Sequence, residues 1–281
     1  RRDRGAMEGL EALGVGETRI ETARNVHGDV IAAERDRIDA QIITHYPKSI
    51  DIGKRITRQE ARLTDSQRQL VTGNELIHDL VEQVAIEARG SEYVDAKSGV
   101  SARLTISAYE QVIAAAERRA LINGETSTRV RVADFMAAVP AITGKVELVY
   151  EGEQEGAGIV AEKLMGKALR TQFLQYFPDP EKAKKQKDKP NAYKPIQDWF
   201  GAHSVDILND ASAADYRTAI EAVPGLRDLV KQSIPAEMFD EDPLFWQEFA
   251  LHGMAEMSLL SRNRLTAGTQ FKDLFSSMFT M

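Results

Sequence analysis

Few residue groups in this chain are of the kind that do chemistry, and the first question is which of them have a spacing that could use it. The five histidines are scattered and form no i, i+4 pair, and there is no cysteine, so a His- or thiolate-based metal site has no support. Gly14-Val15-Gly16 and Gly144-Lys145 are the glycine-containing stretches that could suggest phosphate binding. Neither fits GxxxxGK[ST]: no strand precedes them, and Val146 follows Lys145 where Ser or Thr is required. The lysine run Lys182 to Lys189 holds five lysines between Pro178, Pro180, Pro190 and Pro195, and reads as a solvated tether. Two arginines at the edges of expected helices remain. Arg37 stands in Asp36-Arg37-Ile38, where spacing alone gives a surface arginine paired with Asp36 or Asp39. Arg103 stands in Ser101-Ala102-Arg103, just before a long apolar helix.

The elements that must position these residues can be read from periodicity. In GVSARLTISAYEQVIAAAERRALINGETSTRVRVADF (99–135), Ile106, Tyr109, Val112, Ile113, Ala116, Ala120 and Leu121 recur at three- and four-residue steps. That predicts a helix ended by Gly124, then a short β-prone piece at 129–132 and a second helix opened by Asp134. From Ile50 to Arg89 the chain reads as two helices. The first has Thr57 as N-cap with Glu60 as capping-box partner, and the second carries Leu70, Leu76, Ile77, Leu80, Val81, Val84 and Ile86. His78 lies beside that stripe and is expected to be packed or at the surface. Gly90 to Gly99 reads as a loop, and Ile159 to Tyr176 as another amphipathic helix. After the linker, stretches at 196–200, 205–208, 216–223, 226–234 and 245–260 have helical apolar spacing, with Trp199 and Trp246 as core anchors.

Composition sets the outer bounds. With 281 residues, 43% hydrophobic and 28% charged, the chain can bury one large core or two ordinary ones. A net charge of −7 disfavours broad binding to nucleic acid. No apolar run is long enough to span a membrane. The absence of cysteine suits a reducing, cytoplasmic setting. The chain opens at Arg1 with its first methionine at Met7 and no apolar leader, which reads as the start of a fragment or a processed chain.

The order of parts resembles the end of the core plus the lid of AAA+ ATPases of the magnesium chelatase subunit I and MoxR type. The residues that carry the resemblance are Asp36-Arg37-Ile38 with the β-prone segment that follows, and Ser101-Ala102-Arg103 with its alanine-rich helix, Gly124 turn and Asp134. It covers about Ala33 to Tyr176. The resemblance implies that Arg37 is an arginine finger reaching the nucleotide of a neighbouring subunit, where a guanidinium stabilises charge developing on the transferring phosphoryl group. It implies that Arg103 is the sensor-2 residue.

It further implies a mainly α fold, a helical lid with a remnant of an α/β core, followed by a separate helical C-terminal module. The expected divisions are a poorly ordered or non-native segment 1–32, the end of the core 33–50, the lid 51–176, a linker 177–195 and the module 196–281. ATP and Mg2+ would serve the parent assembly, with none bound tightly by this chain alone. The implied partners are neighbouring subunits of a ring and a protein that is remodelled or helped in metal insertion. No Walker A or Walker B motif occurs, so the chain alone is expected not to hydrolyse ATP. The competing reading is an all-α adaptor module in which both arginines are surface charges.

Overall fold

At the centre lies a helix with no exposed side to spare. Helix α3 (Glu75–Arg89) buries Leu76, Ile77, Leu80, Val81, Val84, Ala85 and Ala88, and a helix buried on most of its circumference must be wrapped by others. The computed structural model describes residues 45–185 and 191–274. From Pro47 onward the chain packs as one unit, and its described residues are mainly helical. Arg37 and the β-prone segment after it, up to residue 44, lie outside the described residues, as does the expected boundary at residue 32.

Around α3 pack α1 (Ile50–Glu60), α4 (Arg103–Asn123) and α8 (Ala157–Tyr176). Between α1 and α3 stand the short α2 (Asp65–Leu70) and strand β1 (Val71–Thr72), so the segment read as two helices holds three with a strand between them. The capping box falls on α2 rather than on Thr57. The Thr64 hydroxyl accepts the Gln67 N–H at 3.2 Å, and the Gln67 side chain accepts the Thr64 N–H at 3.0 Å. Thr57 is instead inside α1, which starts after Ser49. Only Gly53 and Thr57 are buried on α1, so it has almost no apolar period to mark its start. His78 is buried against the ring of Tyr109, centroids 4.2 Å apart, and burial lowers its pKa to about 4.

In the stretch 99–135 the expected helix, turn and second helix form, but the strand lies at 128–129 rather than 129–132, the second helix opens at Val132, and Leu121, expected on the apolar face, is exposed. Helix α4 ends at Gly124, whose φ of 65° is the left-handed stop. Strand β2 (Thr128–Arg129) pairs in parallel with β1, Val71 opposite Thr128, and α5 (Val132–Met136) follows. Helices α6 (Val139–Thr143) and α7 (Tyr150–Glu155) lead into α8.

The C-terminal part is neither separate nor purely helical. Helix α14 (Pro243–Glu256) packs directly on α8, and residues of both halves belong to one continuous hydrophobic core. The segment 177–195 includes α9 (Pro180–Lys185) and is anchored at both ends. Phe177 stacks on Phe173 at 4.7 Å, and the Tyr193 hydroxyl donates to the Pro178 carbonyl. Its prolines and lysines describe the middle of the segment; the flanking Phe177, Tyr193 and Ile196 enter the shared core. Helix α10 (Lys194–Phe200) follows, and α11 (Ala213–Glu221), α12 (Leu226–Ser233) and α13 (Ala236–Glu241) pack on α14. Residues 205–208, expected as helix, form β3 (Val205–Leu208), in a three-stranded antiparallel sheet with β4 (Ser261–Leu265) and β5 (Gly268–Lys272), order β3-β5-β4. Val205 and Ile207 are buried while Asp206 and Leu208 are exposed, a period of two that belongs to a strand. Trp246 is buried in the core; Trp199 is half-buried and stacks on His203. Among the described residues no helix is long and apolar enough to cross a membrane.

Candidate functional site

Arg103 is the first residue of α4, a 21-residue helix, and its side chain is exposed. Its backbone N–H is held by the Ser101 hydroxyl at 3.3 Å, and among the described residues its guanidinium has no hydrogen-bond or ion-pair partner. No acidic residue stands in the first turn of α4 to offset the positive helix end. A cation on a helix start of this kind is available to an anion.

The platform beneath Arg103 is rigid. One half-turn on, Thr105 is buried, its hydroxyl 2.9 Å from that of Thr57 on α1, and Thr57 donates to Glu82 on α3 at 2.5 Å. Glu82 is 5% exposed, and burial raises its pKa above the ordinary carboxylate value against the pull of the two threonine hydroxyls. Gly53 makes room for it: a Cβ there would lie 2.2 Å from Glu82 Oε2. Thr57 thus links α1 and α4 to one carboxylate of α3 beneath the start of α4, which fixes the backbone position from which Arg103 leaves the surface.

A second polar cluster, which sequence reading missed, sits at the far end of α4. Arg119 is 1% exposed and grips Asp134 of α5 with two bonds, Nε to Oδ1 at 3.3 Å and Nη2 to Oδ2 at 2.8 Å. Two more donors reach the Thr128 hydroxyl at 2.8 Å and the Arg129 carbonyl at 2.9 Å, so four of its five N–H groups are bonded, and Glu125 lies 4.0 Å from Nη1. Next to it Glu248 of α14 accepts the N–H groups of Val132 at 2.7 Å and Ala133 at 2.9 Å, and the Tyr216 hydroxyl at 2.8 Å. One carboxylate therefore joins α5, α11 and α14. The signal in the sequence was Arg119 at helical register with Val112 and Ala116, a charge on an apolar face, and Glu248 between Phe245 and Leu251.

Complete burial pushes the Glu248 carboxyl up to about 7, opposed by the Tyr216 hydroxyl and the Val132 N–H. The carboxyl is more easily protonated in the folded chain than in the unfolded one, whose value is near 4.5. Its contribution to stability is therefore complete below about pH 4.5 and is lost as pH rises through about 7, an expected fall of roughly 3 kcal/mol. Urea unfolding across that window should show this slope, and Glu248→Gln should flatten it; an unchanged slope in the variant would assign the pH dependence to another group.

Of the two predicted site arginines, Arg103 stands at the surface on its braced helix start, while Arg37 lies outside the described residues, so their mutual placement is not part of the geometry. No family model, curated protein or solved structure matches this chain.

Proposed function

We propose that this chain is the lid-bearing part of an AAA+ ATPase of the magnesium chelatase and MoxR type, with Arg103 directed at the nucleotide phosphates. The observation that carries the reading is Arg103 itself: exposed, unpaired among the described residues, and set on a helix start braced by Thr105, Glu82 and Thr57. The braced helix start fixes where the side chain begins, and the guanidinium, free of other partners among the described residues, can turn to a phosphate brought to it. Arg37 is the proposed finger, donated across a subunit boundary. ATP and Mg2+ would be held by phosphate-binding motifs that this sequence does not contain. Neighbouring ring subunits and a remodelled protein or metal-insertion partner complete the proposed assembly, in the cytoplasm.

The test is hydrolysis in assemblies in which the chain is mixed with an intact ATPase of this type. Wild-type chain should support ATP turnover at its interfaces, and Arg103→Ala or Arg37→Ala should lower it by about 10²-fold or more. Turnover indifferent to both substitutions would favour an all-α adaptor module instead. That second reading has its own observation, since Leu121 and Ile122 at the end of α4 are 67% and 55% exposed, an apolar pair suited to a protein partner.

A further inference from the structure

The far end of α4 borders a cavity of about 280 Å³, a volume at the small end of ligand sites, lined among others by Thr128, Arg129, Arg131, Tyr216, Arg217 and Asp242. Arg131 is its unusual member. Only 4% exposed, it lays its guanidinium over the Tyr216 ring at 4.1 Å and donates Nη1 to the Ala211 carbonyl at 2.8 Å. Its Nε and Nη2 groups have no acceptor among the described residues. These donors are not among the buried side-chain atoms left without a partner, so they face solvent through the cavity rather than the packed interior, and burial of the rest of the side chain, with Arg119 adding repulsion, makes Arg131 a weaker base than usual.

Two carboxylates, Glu125 and Asp242, also line the wall, and Glu125 Oε2 is buried with no hydrogen-bond partner among the described residues, so an anion must be held by the arginines against their charge. Glu125 accepts the Ala213 N–H through Oε1, and its Oε2 lies 4.0 Å from Arg119. Asp242 caps α14 by accepting the Phe245 N–H at 3.2 Å. The cations are less committed. Arg129 is 46% exposed and only 3.6 Å from Asp242, and Arg217 is 62% exposed and paired at 3.4 Å with Glu221 on its own helix.

We propose that this cavity binds a small anion bearing a phosphate or carboxylate group, gripped by the in-plane donors of Arg131, with Arg129 and Arg217 at its entrance. Arginine suits the task because its fork matches the oxygens of either group bidentately, whereas lysine offers only a point charge. This site is separate from the surface that carries Arg103.

Titration of the full chain with sodium phosphate, and separately with succinate, against sodium chloride at equal ionic strength tests the proposal. One or both anions should raise the unfolding temperature and shift the amide resonances of residues 128–132 and 213–217, and whichever binds identifies the group recognised. Arg131→Lys should weaken that binding about tenfold or more. Should Arg131→Lys not fold, Arg129→Gln with Arg217→Gln, both at exposed positions, should weaken it several-fold. Binding no stronger than chloride, shifts confined to other parts of the chain, or affinity unchanged in the variants that fold would each overturn the proposal.

Discussion

Asp134→Ala is expected to destabilise the chain by about 3–5 kcal/mol, because it strands the Arg119 charge in a site that is 1% exposed. The loss is larger than that of an ordinary ion pair for two reasons. Arg119 keeps its other two acceptors, the Thr128 hydroxyl and the Arg129 carbonyl, so it cannot swing out to water without breaking them. The Arg131 N–H, which donates to Asp134 Oδ2 at 2.8 Å, also loses its acceptor. The contrast lies one residue away: Arg118 pairs with Asp210 at the surface, side chains 64% and 42% exposed, and Asp210→Ala should cost no more than about 1 kcal/mol. Urea unfolding of both variants checks the difference. Equal losses would mean that Arg119 re-pairs, most directly with Glu125, 4.0 Å away.

Gly253→Ala is the second large effect, and its sign runs against local preference. Alanine favours a helix interior over glycine by roughly 1 kcal/mol, and Gly253 lies inside α14. Yet a Cβ there would fall 2.0 Å from Cδ2 of Phe173 on α8. Phe173 has no room to move, being fully buried, stacked on Phe177 and tilted against Phe249. The expected net cost is about 2–3 kcal/mol, the upper range for overpacking. Phe173→Leu in the same chain should recover part of it, giving a coupling energy of about 1 kcal/mol or more in a double-mutant cycle. Because this contact joins the two halves of the chain, both halves should lose stability in one transition, as a shared core requires. Two separate transitions would instead support independent modules.

How much of this was legible depends on where the partners of each residue lie. The α4 turn and its neighbours could be read because the apolar period, Gly124 and Asp134 are all local signals. Strand β3 could not, since four residues give only two turns of alternation, and β4 and β5 are built from polar residues such as Ser261, Arg262 and Asn263. The start of α1 was misplaced because its buried face is a glycine and a threonine. The Glu248 cluster was hidden by distance: its backbone partners Val132 and Ala133 lie more than a hundred residues away, and no local pattern links them. A buried charge at core register was the available hint, at Arg119 and again at Glu248. The linker composition misled in a particular way, for lysines and prolines reported a solvated segment and said nothing about whether the flanking halves touch.

The platform under Arg103 explains why the proposed sensor would act through position rather than charge alone. Thr105 and Thr57 share Glu82, so the start of α4 has little freedom, and a lysine in place of Arg103 would keep the charge but lose the planar fork. The most direct measurement is ATP affinity in assemblies of the chain with an intact ATPase of the proposed type, comparing wild type with Arg103→Ala and with Arg170→Ala, whose side chain is 52% exposed on α8. The account predicts ATP binding at the mixed interface weakened by about ten- to a hundredfold in Arg103→Ala, the worth of one charge-assisted hydrogen bond, and unchanged in Arg170→Ala. Equal affinity in all three chains would contradict it.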